Sequence, residues 1–214
     1  MLLRAIGLGA LLGLGGCTGA NAPNLSGLLG GANASPEPQL ALLGGKFTAV
    51  GPAGYCADTA ASRPVKGFAI FAPCGMLGGT GASATLNAVT TVQIGPVNSA
   101  IVGDDPRAFA QVLSSDSGPA ILSRDGDAQT VVVQSVRQHG ARVSVYFTDA
   151  APAFIAGAQE AEWRSFFDLS GRLATVTVRG LDSAPLSATR GAVLLDQAVE
   201  KLMLANSPAA VSAR

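Results

Sequence analysis

The sequence predicts an α+β domain with a mostly antiparallel sheet and a long C-terminal helix packed on one face of that sheet. Two pairs of β-rich segments, within 130–147 and 162–179, flank short turns, a pattern typical of hairpins and therefore of antiparallel pairing. Apolar residues between 193 and 202 recur at helical spacing. The chain has 214 residues, 48% of them apolar, which is enough for one domain with a buried core.

Shorter elements are predicted ahead of the hairpins. The segments 46–50, 68–72 and 89–94 are apolar or β-branched and are bounded by glycine or proline, so they are predicted to be strands. The sequence Asp104-Asp105-Pro106 is typical of a helix N-terminus, because it combines acidic caps with a proline in the first turn. A further short helix is predicted over 119–122.

The turns and caps of the C-terminal half are also predicted from local chemistry. His139-Gly140 is predicted to form the turn of the first hairpin, and Ser170-Gly171 that of the second. Ser187 follows Pro185 and is predicted to cap the final helix. Asn206 and Pro208 should end that helix.

Charge composition excludes some classes of partner. The chain carries 14 basic and 14 acidic side chains, with a formal net charge of zero, so it lacks the basic surplus of a general nucleic-acid binder. The same balance argues against an acidic disordered chain. We therefore expect no nucleic-acid partner.

The N-terminus predicts where the protein is located. Arg4 precedes an apolar run over 5–16, which as a helix would reach about 18 Å and is too short for a hydrocarbon core of about 30 Å. The run ends in Leu14-Gly15-Gly16-Cys17, which resembles the lipobox of bacterial lipoproteins. This resemblance implies lipidation of Cys17, cleavage before it and attachment to a membrane. Thr18 in place of aspartate implies an outer-membrane anchor facing the periplasm.

These features predict the organisation of the whole chain. Residues 1–16 would be a signal peptide, and 17–40 a lipidated cysteine with a flexible Gly-, Ala-, Asn- and Pro-rich tether. Residues 41–208 would form a single α+β domain, and 209–214 a disordered tail.

The remaining cysteines are predicted to form a disulfide. If Cys17 is lipidated, Cys56 and Cys74 are the two thiols left in an oxidising compartment. A redox or metal-binding pair is the alternative, but the sequence has no C-x-x-C spacing and no third ligand near these cysteines.

Two further resemblances concern the folded part. The segment Gly51-Pro52-Ala53-Gly54-Tyr55-Cys56 with Cys74, and the later Glu162-Trp163-Arg164, resemble segments of small envelope lipoproteins of alphaproteobacteria. The order of elements resembles that of PsbP/Mog1-like domains, which implies a layout and carries no function.

The glycine-rich stretch 75–83 is the predicted ligand site. Gly78, Gly79 and Thr80 form either a flexible loop or a nest for phosphate, although the lysine of a P-loop is missing. Trp163 either lines a neighbouring cleft or belongs to the core.

Other chemistry-bearing residues favour structural roles. His139 is the only histidine, and its place in a hairpin turn argues against a catalytic triad. Asp125-Gly126-Asp127 is predicted to be a tight turn, since the spacing of a calcium-binding EF-hand fails. Glu162 and Asp168 are expected on a solvated face or in ion pairs with Arg164 and Arg172. We expect no catalytic residue, metal or cofactor.

The sequence therefore predicts a lipid-anchored, periplasm-facing envelope protein with an interaction or accessory role. Its expected partner is another envelope protein. The alternative is a small ligand-binding or hydrolytic lipoprotein that uses a cleft near the 75–83 loop.

Overall fold

Nine β-strands and three α-helices make up the part of the chain that the structure describes. The structure is a computed structural model that describes residues 36–79, 83–208 and 210. The strands are β1 (Gln39–Leu42), β2 (Phe47–Val50), β3 (Tyr55–Ala57), β4 (Phe68–Pro73), β5 (Ala88–Ile94), β6 (Val131–His139), β7 (Arg142–Asp149), β8 (Ala158–Leu169) and β9 (Arg172–Leu181). The helices are α1 (Pro106–Ser114), α2 (Gly118–Leu122) and α3 (Ala188–Ala205).

Seven of these strands form one antiparallel sheet, in the order β3-β4-β5-β9-β8-β7-β6. β1 and β2 form a separate antiparallel hairpin. Together with the long C-terminal helix on one face, this sheet confirms the predicted α+β fold. Among the described residues, no helix has the length and apolarity needed to cross a membrane.

The two predicted hairpins are present. β8 and β9 are joined by Ser170-Gly171, whose φ angles of 50° and 75° suit a tight two-residue turn with left-handed backbone. In the first hairpin, His139 pairs with Arg142. The turn is therefore Gly140-Ala141, one residue later than predicted, because glycine takes the positive-φ position.

Helix α3 covers one face of the sheet. The Ser187 hydroxyl accepts a hydrogen bond from the N–H of Arg190, as predicted for the cap. At the other end the Asn206 carboxamide pairs with both backbone groups of Thr48, which ties the helix to β2. The buried helix residues are Gly191, Leu194, Leu195, Ala198, Val199 and Leu202. Val193, which the apolar stripe included, is instead 53% exposed.

Two separate hydrophobic clusters occupy the opposite face of the sheet. The helix-side cluster lies beneath α1 and α2, and its buried members are Val102, Leu113, Leu122, Val131, Val143, Val145, Phe147 and Phe166. The loop-side cluster lies beneath the segment 150–158, and its buried members are Ile70, Val89, Ile155, Ala158 and Leu181. The middle of this sheet face lies between the two clusters and belongs to neither.

The predicted disulfide is present between Cys56 and Cys74, whose Cα atoms are 4.8 Å apart. Cys56 lies on the edge strand β3, and Cys74 directly follows β4. The bond therefore fastens a three-residue edge strand to its neighbour, where few ladder hydrogen bonds are available.

The folded part begins earlier than residue 41. The carbonyl of Glu37 accepts a hydrogen bond from Ala57, and that of Pro38 accepts one from Gly51. β1 starts at Gln39, and its Leu42 is fully buried. Four residues assigned to the tether, 37–40, thus pair with the domain. The predicted signal peptide, Cys17, the tether as far as 35 and most of the tail after 208 lie outside the described residues.

Candidate functional site

A cavity of about 370 Å³ lies on the sheet between the helix-side and loop-side clusters. Three rows of side chains, set by strand register across β5, β9 and β8, form its floor. These rows are Gln93-Thr175-Phe166, Thr91-Thr177-Arg164 and Val89-Arg179-Glu162. Its volume falls within the range of about 300–1,000 Å³ that small-molecule sites occupy. We call this cavity the central cleft.

A buried ion-pair cluster lies at one end of the central cleft. The side chain of Glu162 is fully buried. One of its carboxylate oxygens, Oε1, accepts a hydrogen bond of 2.5 Å from Arg164, and the other, Oε2, is paired with Arg179. The Arg164 guanidinium also donates to the carbonyl of Leu122 at the end of α2. Cross-strand register brings Glu162 directly opposite Arg179.

This cluster carries one uncompensated positive charge. Burial lowers the pKa of Arg164 to about 10, although the charge of Asp149 opposes the shift. Burial, followed by the charge of Arg124, lowers the pKa of Arg179 to about 10. Both guanidinium groups therefore remain protonated at neutral pH, and two cations face one carboxylate.

A second charge pair supports one wall of the cleft. The Arg124 Nη1 atom lies 3.5 Å from a carboxylate oxygen of Asp149, whose side chain is fully buried. The Asp149 carboxylate accepts hydrogen bonds from the N–H groups of Arg124 and Ala151. Arg124 in turn donates to the carbonyls of Asp149 and Ala151. This pair is neutral overall, and it holds the start of the loop that carries Phe154 and Ile155 over the cleft.

The pKa of Asp149 reflects these contacts. Burial alone would raise this pKa, but the hydrogen bonds from Ala151 and Arg124 and the charge of Arg124 bring it below its ordinary value. The ionised carboxylate is therefore stabilised in the folded state.

Polar groups on the cleft floor remain available to a ligand. Within the described residues, no hydrogen bond engages the hydroxyls of Thr91, Thr175 and Thr177. Apolar side chains border these groups: Phe68 and Phe154 stand at the sides of the cleft, and Phe166 ends one row of its floor. Phe154 is 61% exposed, which is unusual for a side chain of this size. An apolar rim around a few convergent polar groups is typical of a binding site for an organic molecule.

The structure does not bring the predicted ligand-site residues together. Gly78 and Gly79 line a different cavity, of about 550 Å³, beside the disulfide and Lys201. Thr80 lies outside the described residues. Trp163 is on the opposite face of the sheet from the central cleft, only 2% exposed, and donates a hydrogen bond to the carbonyl of Ala188. The tryptophan belongs to the core, which is one of the two roles the sequence left open.

His139 is exposed near the tip of the first hairpin. It borders a small polar depression of about 240 Å³ that also touches Arg137 and the edge of Trp163. The Arg137 guanidinium lies 4.5 Å from the centre of the Trp163 ring, a cation–π contact. The exposed hairpin position agrees with the predicted turn region.

The acidic residues weighed as metal or catalytic groups have structural contacts. The Asp125 carboxylate accepts from the N–H of Asp127, which closes the predicted tight turn. Asp168 accepts hydrogen bonds from three successive N–H groups, those of Ile101, Val102 and Gly103, and so holds that loop. Among the described residues, no three His, Cys, Asp or Glu side chains cluster as metal ligands would.

Of the two alternatives for Glu162, the solvated face is wrong and the ion pairs are confirmed in part. Glu162 is buried and does not lie on a solvated face. Its partners are Arg164, as predicted, and Arg179, whereas Arg172 donates to the carbonyl of Gly95. Alternation along β8 places Glu162, Arg164 and Phe166 on one face, and this pattern was visible in the sequence. The opposing Arg179 follows from the predicted Ser170-Gly171 turn, because an unbroken hairpin closed there pairs Glu162 with Arg179.

Comparisons with known proteins leave the family open. No family model and no curated protein matches the chain. Among solved structures, the Ran-binding protein Mog1p of Saccharomyces cerevisiae is 13% identical, with 81% of this chain and 93% of that chain covered and a TM-score of 0.41. A STAR-related lipid transfer protein fragment from Xanthomonas axonopodis is 7% identical, with 70% and 96% covered and a TM-score of 0.32. At these scores the likenesses carry no inference, and the Mog1-like layout stays a prediction.

Proposed function

We propose that this chain is a lipid-anchored, periplasm-facing envelope protein whose folded domain binds a small organic molecule in the central cleft. The observation that carries the proposal is the uncompensated arginine charge held between two apolar clusters on an otherwise covered sheet. Leaving a charged, partly open cleft in the middle of a sheet face costs stability, and a bound ligand would offset that cost.

Binding is favoured over catalysis by the state of the cleft's carboxylate. Both oxygens of Glu162 are engaged by guanidinium groups, so this residue is not available as a general base. The proposed role is therefore ligand binding, which the sequence left as the alternative to an interaction role, and the cleft proposed for it differs from the one predicted near the 75–83 loop.

The anchor part of the proposal depends on Cys17 and is tested separately. Cys17→Ser should abolish incorporation of radioactive palmitate. A matched Cys56→Ser variant should retain the label. Persistent labelling of the Cys17→Ser protein would show that Cys17 is not the lipidated residue.

The binding part is tested on the mature chain carrying Cys17→Ser, which is free of lipid and needs no detergent. A thermal-shift screen against a library of envelope metabolites should find one chemical class that raises the melting temperature. The same compounds should have a weaker effect on Phe154→Ala, because Phe154 forms the exposed rim of the cleft. Hits that act equally on both proteins would place binding elsewhere.

A protein partner is the second candidate function, and the edge strand β6 favours it. β6 ends the seven-stranded sheet, and its Val132 is 60% exposed beside a strand edge that no other described strand pairs with. A stoichiometric envelope protein captured by the wild-type chain and lost with Val132→Lys would support this function. Capture that is unaffected by Val132→Lys would argue against β6 as the docking element.

A further inference from the structure

We propose that the ligand of the central cleft is a monocarboxylate with a compact apolar body, such as a medium-length acyl chain or an arylalkyl group. This inference deepens the proposed function and rests on it. It follows from the charge of the cleft floor, the geometry of its arginines and the apolar character of its walls.

The charge of the cleft matches a single negative charge. Arg164 and Arg179 together face one carboxylate, Glu162, and the neighbouring Arg124–Asp149 pair is neutral. A ligand with one negative charge would balance the floor, whereas a dianion would leave one negative charge without a partner in a partly buried site. A cationic ligand would add to the surplus.

Arg179 is the group best placed to bind the anion. One of its terminal nitrogens, Nη2, is paired with Glu162, and within the described residues its other N–H groups have no acceptor. Arg164, in contrast, already uses both terminal nitrogens, on Leu122 and Glu162. A guanidinium presents two parallel N–H groups that match a planar carboxylate. Thr177 precedes Arg179 by two residues on the same strand face, so its free hydroxyl lies about 7 Å along β9.

The apolar side chains around the cleft favour a ligand whose anionic group is attached to an apolar body. Phe68 approaches from β4 and Phe166 from β8, while Phe154 leans over from the 150–157 loop. Phe154 is 61% exposed, so a bound apolar group would remove its ring from water. The volume of about 370 Å³ is at the small end of ligand sites, which limits the body to modest size.

The test is isothermal titration of the mature Cys17→Ser chain with two probes, sodium octanoate and sodium 4-phenylbutyrate. Three control compounds each lack one feature of the proposed ligand. Acetate lacks the apolar body, 1-octanol lacks the negative charge, and octylammonium carries a positive charge in its place. We expect the two probes to bind at least about tenfold more tightly than any control, since a hydrogen bond to a charged group contributes that much. The stronger of the two probes distinguishes an acyl from an aryl ligand.

Two substitutions of opposite charge should shift affinity in opposite directions. Arg179→Gln removes the surplus charge and should weaken octanoate binding by about 10- to 100-fold. Glu162→Gln increases the surplus and should strengthen binding, although both variants lose the same ion pair. Arg190→Gln, at an exposed position on α3, is the matched control and should have no effect.

A third variant keeps the test valid if the buried substitutions fail to fold. Phe154→Ala changes an exposed side chain, so folding should be retained, and octanoate should bind about 5- to 30-fold more weakly. Leu204→Ala, which is 70% exposed on α3, is its control and should leave binding unchanged.

The outcomes separate this inference from the proposed function. Octanol or octylammonium binding as tightly as octanoate would overturn the carboxylate. If neither probe binds but a library compound of other chemistry does, and its binding is weakened by Phe154→Ala, the monocarboxylate inference is overturned and the ligand-binding function is retained. Failure of the probes and of the whole library would overturn both.

Discussion

Replacing Glu162 by glutamine tests the ion-pair cluster most directly. The two side chains have nearly the same shape, so the change removes a charge and creates no cavity. Glu162 is fully buried and engages both Arg164 and Arg179. The glutamine would keep one acceptor oxygen and turn an NH₂ group towards a guanidinium, so that donors face each other.

The expected loss of stability follows from the burial of the two arginines. Removing one partner of a buried ion pair costs about 3–5 kcal/mol, because the remaining charge is left without compensation. The Arg164 and Arg179 side chains are 17% and 6% exposed and border the cleft, where water can hydrate them. We therefore expect the lower end, about 3 kcal/mol. That is a fall in melting temperature of roughly 6–12 °C for a domain of this size.

Urea unfolding followed by circular dichroism measures this change. The midpoint should fall by roughly 1–3 M with an unchanged slope, because the native surface is preserved. Glu160→Gln is the matched control, since Glu160 lies on the same strand with an exposed side chain, and it should change stability by less than about 0.5 kcal/mol.

A double-mutant cycle provides the refutation. Glu162→Gln combined with Arg179→Gln should cost less than the sum of the two single changes, because each one already breaks the pair. Additive costs, or a Glu162→Gln variant as stable as Glu160→Gln, would show that the cluster is not an ion pair in solution.

Three further predictions concern other parts of the fold. Joint replacement of Cys56 and Cys74 by alanine should lower the free energy of unfolding by about 3 kcal/mol in urea titrations, and two titratable thiols in the denatured wild type would refute the bond itself. Asp149→Asn should lower stability at neutral pH and make stability fall less steeply in acid. The folded pKa of Asp149 is lowered, so its stabilisation is present above the ordinary carboxyl pKa and is lost as the pH falls through the folded pKa. A variant whose stability falls with acid as steeply as that of the wild type would contradict this. A chain beginning at Pro36 should give dispersed amide signals in nuclear magnetic resonance, whereas one beginning at Leu43, which lacks β1, should unfold at lower temperature; equal melting temperatures would show that β1 is dispensable.

Much of the fold was predictable because its determinants are local. Ser170-Gly171 form a tight turn in which Gly171 takes a positive φ without steric cost, and Ser187 caps α3 through its own side chain. The disulfide followed from counting cysteines once Cys17 was set aside. Val193 was misplaced on the buried stripe because helical spacing shows which residues share a face but not how wide the packed area is.

The candidate site was not predictable in the same way. The sequence pointed to glycine-rich flexibility at Gly78 and Gly79 and to the aromatic Trp163, but these residues lie at different cavities. The cleft instead joins residues from strands that are distant along the chain. Glu162 faces Arg179 in a register that runs unbroken from the Ser170-Gly171 turn, but the pairing of β5 with β9, which brings Thr91 and Gln93 to the same cleft, joins segments about 85 residues apart.

The amino-acid pattern alone determined the two C-terminal hairpins and the capped C-terminal helix, because each depends on neighbours a few residues away, whereas β1 and β3 form only by pairing with the rest of the domain. The packing of α1, α2 and the 150–157 loop decided that Glu162 is buried rather than solvated, since period-two alternation separates two faces of a strand and leaves open which one is covered. The local β8–β9 hairpin places two arginines around one carboxylate, and the tertiary packing of the two apolar clusters on either side turns this group into a charged cleft.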